Sequence, residues 1–538
     1  MKQFQRDRFL PVENDLSAGA APSCTARKIR RSWFIWLLMT LVPATLLAQQ
    51  LGTEAQREKG RQIYMKRCAQ CHGEKGDGRG PAHDVFLPHP RDFTSGLFKI
   101  RTTPSGELPT DEDLHRVIRK GMPYTGMPAW PSLSDDDITN LIYFIKTFNE
   151  DFASPYAQPT PIKIPEPPAF TQESVERGRK VYEANRCYDC HGNQGRGDGK
   201  SAPTLTDEWG DPIRPADLTK RWTFRGGGTR KDIYRTFTTG MNGTPMPSYE
   251  IPENERWDLV NYVYSLSRDD PNYATMVSAV YVPDSISLAA GRDLFAGAPP
   301  ALFPVVGQVI EPGREFYPGV NAIEVRAVYN ASKIALLLTW HDMVADRAGS
   351  CGPGLPVPRF DPQHPDTAGR FCDAVAVQFP SEMPSGQVKP YFLFGDSRHP
   401  VDLWFADLGK NTPRLFEGKG SGNLSETDKY GLEMAASYNE GEWAVIFVRD
   451  RQVSKGLSFQ PNSFVPIAFS VWDGFNHERG NKRGITSWYY LYLPPMNQPS
   501  PVAAMAKYGA LTLVVELVLI VVVRTRYREE ALESRGQA

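Results

Sequence analysis

The chain carries almost no net charge, since 61 lysines and arginines face 62 aspartates and glutamates, which leaves −1 at pH 7. Proteins that bind nucleic acid usually present an excess of positive charge, so this balance argues against a nucleic-acid partner. Cysteine is scarce too, with seven residues in 538. Structural zinc sites need four ligands, and the two motifs that hold four of these cysteines have no spare cysteine pair nearby, which excludes zinc there. The length predicts three or four domains.

The cysteines that are present form one short motif, Cys-x-x-Cys-His, which occurs twice. This string is the covalent attachment site of a c-type haem, where two thioether bonds hold the porphyrin and the histidine binds the iron. The sequence therefore predicts two covalently bound haem c groups and a role in electron transfer. The predicted haem-binding residues are Cys68, Cys71 and His72 in the first copy and Cys187, Cys190 and His191 in the second.

The motif belongs to a longer repeat. Cys68 and Met127 both recur 119 residues further along the chain, at Cys187 and Met246. An electron carrier commonly binds its iron between a histidine and a methionine, and both methionines stand directly before a proline, which favours a loop. Met127 and Met246 are therefore the predicted second ligands of the two irons. The alternative ligands, which repeat as well, are Met122 and Met241.

Segments with helical character flank each motif. The spacing of residues 53–67 predicts a helix, and residues 111–120 run from acids to bases, as the helix dipole favours. With these features, residues 52–150 and 172–268 resemble class I cytochromes c. The resemblance implies two all-α cytochrome c modules with one haem each. The proline-rich residues 151–171 between them are predicted to be an extended linker.

Residues 272–498 change in character. Short runs of strand-forming residues alternate with clusters of glycine, proline and aspartate, which predicts an all-β antiparallel sandwich. The predicted strands are 323–329, 334–340, 374–379, 401–405, 443–448, 464–472 and 488–493. Haem c is attached outside the cytoplasm, so the chain is expected to be exported. Cys351 and Cys372 are therefore predicted to form a disulfide, with two free thiols as the alternative.

Several motifs in this region carry a second resemblance. They include Trp340-His-Asp342, Asp373-Ala-Val-Ala-Val-Gln-Phe-Pro380, Phe394-Gly-Asp396 and Trp472-Asp-Gly-Phe-Asn-His-Glu-Arg-Gly-Asn-Lys482. They resemble the haem b domain of ethylbenzene dehydrogenase γ subunits, which serve molybdenum enzymes of the type II dimethyl sulfoxide reductase family. The resemblance implies one haem b held by a lysine and a methionine, with Lys482 as the lysine.

The methionine of that pair has no match, because Phe394 stands where the resemblance places it. The domain would then use another second ligand or contain no haem. The alternative ligands are His399, Met343, Met383 and Met434.

Two long apolar runs lie near the ends of the chain. Basic residues at 27–31 precede the first run, so residues 1–48 are predicted to be a signal peptide cleaved after Ala48, with an N-terminal anchor as the alternative. Residues 503–523 are long and apolar enough for one C-terminal transmembrane helix in contact with lipid, and the basic flank makes 524–538 a cytoplasmic tail. The predicted location is the inner (cytoplasmic) membrane, with the bulk of the chain on the periplasmic side.

The leading hypothesis is a membrane-anchored multihaem electron-transfer subunit that has no catalytic residue of its own. It would relay electrons between a molybdopterin oxidoreductase with its iron–sulfur subunit, of the nitrate/nitrite type or related, and a soluble cytochrome or a membrane respiratory complex. One alternative is a dihaem peroxidase, which needs an iron with an open site. Another is a dihaem cytochrome whose haem-free sandwich serves docking or ligand binding.

Overall fold

The structure is a computed structural model that describes residues 51–86, 88–267, 271–315, 318–358, 369–386, 388–496 and 501–536. The predicted signal peptide, residues 1–48, lies outside the described residues. A helical part comes first, a β-rich part follows, and one long helix ends the described chain. This order confirms the predicted fold class.

The two modules are built from equivalent helices. Those of the first module are α1 (Glu54–Arg67), α2 (Ala69–His72), α3 (Asp111–Lys120) and α4 (Asp135–Lys146). Those of the second module are α5 (Gln172–Ala184), α6 (Tyr188–His191), α7 (Arg230–Thr239) and α8 (Glu253–Ser265). A hydroxyl side chain accepts a hydrogen bond from the first turn and so caps most of the longer helices. The capping residues are Thr53, Thr110, Ser134, Thr171 and Thr229.

The first and last helices of each module cross in backbone contact, and a glycine makes this possible. A Cβ atom placed on Gly60 of α1 would lie 2.0 Å from the carbonyl oxygen of Asn140 on α4. In the second module, a Cβ on Gly178 of α5 would lie 1.9 Å from the carbonyl oxygen of Asp258 on α8. Any side chain would separate the helices, because atoms at these distances overlap.

The β-rich part folds as a sandwich of two sheets. Its strands are β1 (Met276–Ser278), β2 (Val280–Tyr281), β3 (Ala301–Pro304), β4 (Val306–Gly307), β5 (Ala322–Tyr329), β6 (Lys333–His341), β7 (Ala374–Pro380), β8 (Val401–Asp407), β9 (Thr412–Gly418), β10 (Leu424–Glu426), β11 (Glu433–Asn439), β12 (Glu442–Asp450), β13 (Ser463–Trp472), β14 (Gly484–Ile485) and β15 (Tyr489–Leu493). One sheet has the order β1-β15-β13-β7-β8-β9-β10, with β14 beside β13 and β4 beside β14. The other has the order β11-β12-β6-β5-β2, with β3 also pairing with β5.

Among the strands that the structure describes, the pairs are antiparallel except for two short ones, β1 with β15 and β2 with β5. Apolar side chains from the two sheets share one core, which includes Leu338 and Trp443 from one sheet and Val377 and Trp404 from the other. Cys351 and Cys372 form a disulfide, with their Cα atoms 5.4 Å apart.

The last helix, α9 (Pro501–Gly536), contains the predicted membrane span. Within it, Val502–Arg528 is long and apolar enough to cross a membrane, and no other helix of the described residues meets that condition. Its apolar side chains are exposed, since Leu511, Leu517 and Val521 each keep more than half of their surface open. This exposure is what a lipid-facing segment needs.

Candidate haem sites

In both modules the attachment motif forms a single turn directly after the first helix. The Cys68 N–H donates to the Tyr64 carbonyl at the end of α1, and the His72 N–H donates back to the Cys68 carbonyl at 2.9 Å. In the second module, the His191 N–H donates to the Cys187 carbonyl, also at 2.9 Å. The two cysteines and the histidine of each motif are therefore held within one turn, as attachment of one porphyrin requires.

The histidine of each motif is oriented by a backbone carbonyl. His72 Nδ1 lies 3.0 Å from the Arg91 oxygen, and His191 Nδ1 lies 2.9 Å from the Ala216 oxygen. Because a carbonyl only accepts, Nδ1 carries the proton and Nε2 is left for a metal. Burial lowers the pKa of His72 to about 4 and also lowers the pKa of His191, so both rings are neutral at pH 7, the form that binds iron.

Sequence analysis missed these two carbonyl oxygens, because a backbone atom leaves no side-chain signal. A signal does exist in the repeat, since both carbonyls belong to a Pro-x-Asp-x-Thr segment at 90–94 and 215–219. Its aspartate fixes the turn, because Asp92 accepts from the Thr94 N–H at 2.8 Å and Asp217 accepts from the Thr219 N–H at 3.0 Å.

The predicted methionine ligands lie in two loops with the same hydrogen bonds. The Met122 N–H donates to the Met127 carbonyl at 3.0 Å, and the Thr125 hydroxyl accepts from the Met127 N–H at 3.2 Å. The second module repeats these bonds at Met241, Thr244 and Met246, with the same two distances. Each loop thus closes around a Met-x-x-x-x-Met segment.

The side chain of Met246 packs against the core of its module, as does Cys187. This placement favours Met246 over Met241 as the iron ligand. For both modules, the assignment of the second ligand stays a prediction.

Two family models match the same two parts of the chain that form the helical modules. The family model described as cytochrome c oxidase, cbb3-type, subunit III matches residues 55–145, and the model described as cytochrome c matches residues 175–267. Two domains of this chain are cytochrome c domains. Cytochrome c domains bind haem c covalently, so haem c is a cofactor of this chain.

Similar proteins include haem subunits. Over 208 residues the chain is 26% identical to a candidate respiratory nitrate reductase haem subunit, ORF7, of Haloferax mediterranei, with 37% of this chain and 68% of that one covered. Over 125 residues it is 30% identical to the chlorate reductase subunit gamma of Ideonella dechloratans, with 23% and 51% covered. It therefore spans about half of the length of the chlorate reductase relative.

A solved chain of the Kuenenia stuttgartiensis reducing HAO-like protein complex is also similar. It is 44% identical, the match covers 39% of this chain and 96% of that chain, and the TM-score is 0.38.

The two cytochrome domains dock on each other. The buried guanidinium of Arg101 in the first domain donates to the Thr239 carbonyl of the second at 2.6 Å. His89 Nε2 lies 3.0 Å from Asp211 Oδ2, and its ring stacks on that of His83 with centroids 3.9 Å apart. A short separation between haem domains favours electron exchange between them, and the docking holds the domains at a fixed separation despite the extended linker.

The second cytochrome domain also docks on the sandwich, and Asp217 is central to this contact. Its Oδ2 lies 3.0 Å from Lys220 Nζ and 3.4 Å from Nδ1 of His341, at the end of β6. Lys220 Nζ also donates to Asn321 at 3.0 Å. Burial alone would raise the pKa of Asp217, but Lys220 and His341 together hold it well below its usual value.

Replacing Asp217 by asparagine is expected to destabilise this contact at neutral pH by about 2 kcal/mol, the usual cost of losing a hydrogen-bonded charge. Because the folded-state pKa is depressed, this stability is present above the unfolded-state pKa of about 4 and is lost as pH falls through the folded-state value. Thermal unfolding followed from pH 7 to pH 3 measures the onset of this loss. Asp92→Asn makes the same change in the equivalent turn of the first domain and is the control. Equal acid sensitivity of wild type and D217N would contradict the assignment.

In the sandwich, the residues predicted to hold haem b are placed as follows. Lys482 Nζ donates to the Asn476 carbonyl at 2.7 Å and lies 3.7 Å from Glu315 Oε2. Phe394 is fully buried, and the guanidinium of Arg483 stacks on its ring at 3.8 Å. Phe394 therefore occupies the place of the methionine, Lys482 contacts other protein atoms, and the assignment of haem b stays a prediction.

The alternative second ligands are dispersed. Met434 lies in the sandwich core on β11, Met383 is half exposed, and His399 Nδ1 lies 3.3 Å from Asp396. Met343 is the second residue after the end of β6.

Proposed function

We propose that the chain is a membrane-anchored electron-transfer subunit with two haem c groups, which relays electrons between a molybdenum oxidoreductase and a cytochrome or membrane respiratory partner. The observation that carries the proposal is the duplicated site. In each cytochrome domain a neutral histidine and a methionine loop occur in the same arrangement. Two irons with the same histidine and methionine ligands would have no free position for a substrate. Such irons suit transfer of electrons rather than chemistry on a substrate.

Similar proteins support the choice of partner. One relative is named as a haem subunit of a respiratory nitrate reductase and another as the gamma subunit of chlorate reductase. In this reading, the sandwich contacts the molybdopterin and iron–sulfur subunits, and the cytochrome domains pass electrons onward. Helix α9 anchors the chain in the inner membrane, with the domains on the periplasmic side.

Ligand binding and metal content test the proposal. The ferric full-length protein should bind cyanide slowly, because a histidine and a methionine would already hold each iron. A complex purified from native membranes through a tag on this chain should contain molybdenum. Rapid cyanide binding would instead favour the peroxidase alternative. A pure complex with full haem content but without molybdenum would overturn the proposed partner.

The resemblance to γ subunits adds one haem b, held through Lys482. Iron binding would require Lys482 to give up its bonds to Asn476 and Glu315 and to lose its proton. The pyridine haemochrome of the purified full-length protein should then report two haems c and one haem b per chain, and Lys482→Ala should lose the haem b alone. Lys455→Ala, at an exposed lysine of the same domain, is the matched control. Haem c without haem b in the wild type would favour a haem-free docking domain.

A further inference from the structure

Three aspartates from separate motifs of the sandwich meet at one buried point. Asp342 directly follows β6, Asp373 directly precedes β7, and Asp473 directly follows β13. One carboxylate oxygen from each lies within 4.8 Å of those of the other two. The exposed fractions of the three residues are 3%, 0% and 0%. Three buried carboxylates at this distance repel one another strongly unless positive charge is supplied.

Two more acids raise the charge of this group. Glu478 is buried and its Oε2 accepts from the Asp473 N–H at 3.0 Å, while the Asp346 N–H donates to Asp373 Oδ2 at 2.7 Å.

Two cations of the described residues act on this cluster. Arg214 of the second cytochrome domain pairs with Asp473, and Arg370 lowers the pKa of Asp346 by its charge. With all five carboxyl groups ionised, these two cations would leave an excess of negative charge.

Independent of charge, two carboxylate oxygens of this cluster have no hydrogen-bond partner among the described residues. Asp342 accepts from the Val344 N–H through Oδ1 at 3.2 Å, but its buried Oδ2 accepts no hydrogen bond from any described residue. The buried Oδ2 of Asp346 likewise accepts no hydrogen bond from any described residue. Buried polar atoms nearly always have a partner, and an unpaired one calls for a ligand or ion.

We propose that Asp342, Asp373 and Asp473 bind one calcium ion. Calcium takes carboxylate oxygens at about 2.3–2.6 Å, so two of its ligands on opposite sides are about 4.6–5.2 Å apart. Oxygens within 4.8 Å of one another therefore fit around one such ion. Magnesium dehydrates reluctantly and usually keeps several waters, so a site made of buried protein carboxylates suits calcium better. The ion neutralises the cluster and gives the unpaired oxygens a partner.

The site also lies where the second cytochrome domain meets the sandwich. Arg214 reaches from the cytochrome domain to Asp473 and donates to the Gly319 carbonyl at 3.0 Å. Gly319 is required here, because a Cβ atom on it would overlap Asp473 Oδ2. Calcium binding therefore fixes the carboxylate that holds Arg214 and stabilises the docking of the two domains. The proposed calcium site does not depend on the proposed electron-transfer function.

The full-length holoprotein in detergent tests the proposal. Elemental analysis of protein purified without chelator should find one calcium per chain. After treatment with EGTA, about 1 mM free Ca²⁺ should raise the unfolding midpoint by roughly 10 °C, as expected for a ligand far above its dissociation constant. Absence of calcium together with an unchanged midpoint would overturn the proposal, and stoichiometric magnesium would overturn the choice of ion.

The test variant is Asp342→Asn, which keeps the shape of the side chain and removes one charge. It should lose the calcium and its stabilising effect. In EGTA it should unfold at the same temperature as the wild type or higher, because repulsion is relieved, and this outcome separates loss of the ion from loss of the fold. Asp428→Asn, at an exposed acid, is the control and should respond to calcium like the wild type. A D342N protein that still responds to calcium would contradict the assignment of this residue.

Discussion

Replacing Met127 and Met246 together by alanine is expected to abolish the near-infrared sulfur-to-iron absorption and to lower both haem midpoint potentials. A soft thioether stabilises the ferrous state, so its loss favours the ferric state. The drop should be on the order of 0.1–0.3 V, part of the range of about 0.8 V that axial ligands span. Redox titration of the purified protein measures it.

The single variants assign each change to one haem, because each loop serves its own cytochrome domain. Met122→Ala and Met241→Ala are the matched controls, since these residues lie in the same loops. They should leave the absorption band and the potentials as in the wild type. If the control variants shift the potentials and the Met127 and Met246 variants do not, the ligand is the other methionine of the loop.

Much of the fold follows from local sequence signals. The segment 111–120 has acids at its start and bases at its end, and α3 occupies those residues. The strands that sequence analysis found are those of the sandwich interior, such as β6 and β13, whose apolar residues leave a clear pattern. It missed β11, because Glu433–Asn439 has no β-branched residue and lies at a sheet edge.

Contacts between domains left no such signal. Arg101 and Arg214 are ordinary cations in the sequence, yet in the structure one reaches carbonyls of the neighbouring cytochrome domain and the other a buried aspartate of the sandwich. The attachment motifs were readable because their chemistry requires fixed residues at fixed spacing. The aspartates that meet at the proposed calcium site are far apart in the chain, and only the sheet pairing brings them together.

Replacing Gly178 by alanine is expected to cause the largest structural effect of any substitution proposed for the cytochrome domains. The new Cβ would lie 1.9 Å from the Asp258 oxygen and 2.7 Å from the Tyr262 Cβ, so α5 and α8 must move apart. Overpacking of this kind costs about 3 kcal/mol. Because α5 leads into Cys187 and α8 follows the Met246 loop, we expect the second domain to lose most of its covalent haem. Mass spectrometry of the purified chain counts the haems attached.

A matched control separates this crowding from the general effect of removing a glycine. Gly297→Ala adds the same atom at a position where no heavy atom lies within 4 Å of the new Cβ, so it should retain both haems and unfold as the wild type does. Gly60→Ala should produce the corresponding loss in the first domain, where the Asn140 oxygen lies 2.0 Å from the added atom. The opposite result would be a G178A protein that carries two haems and unfolds at the same temperature as G297A. It would show that the helix crossing tolerates a side chain and that attachment of the second haem does not depend on this glycine.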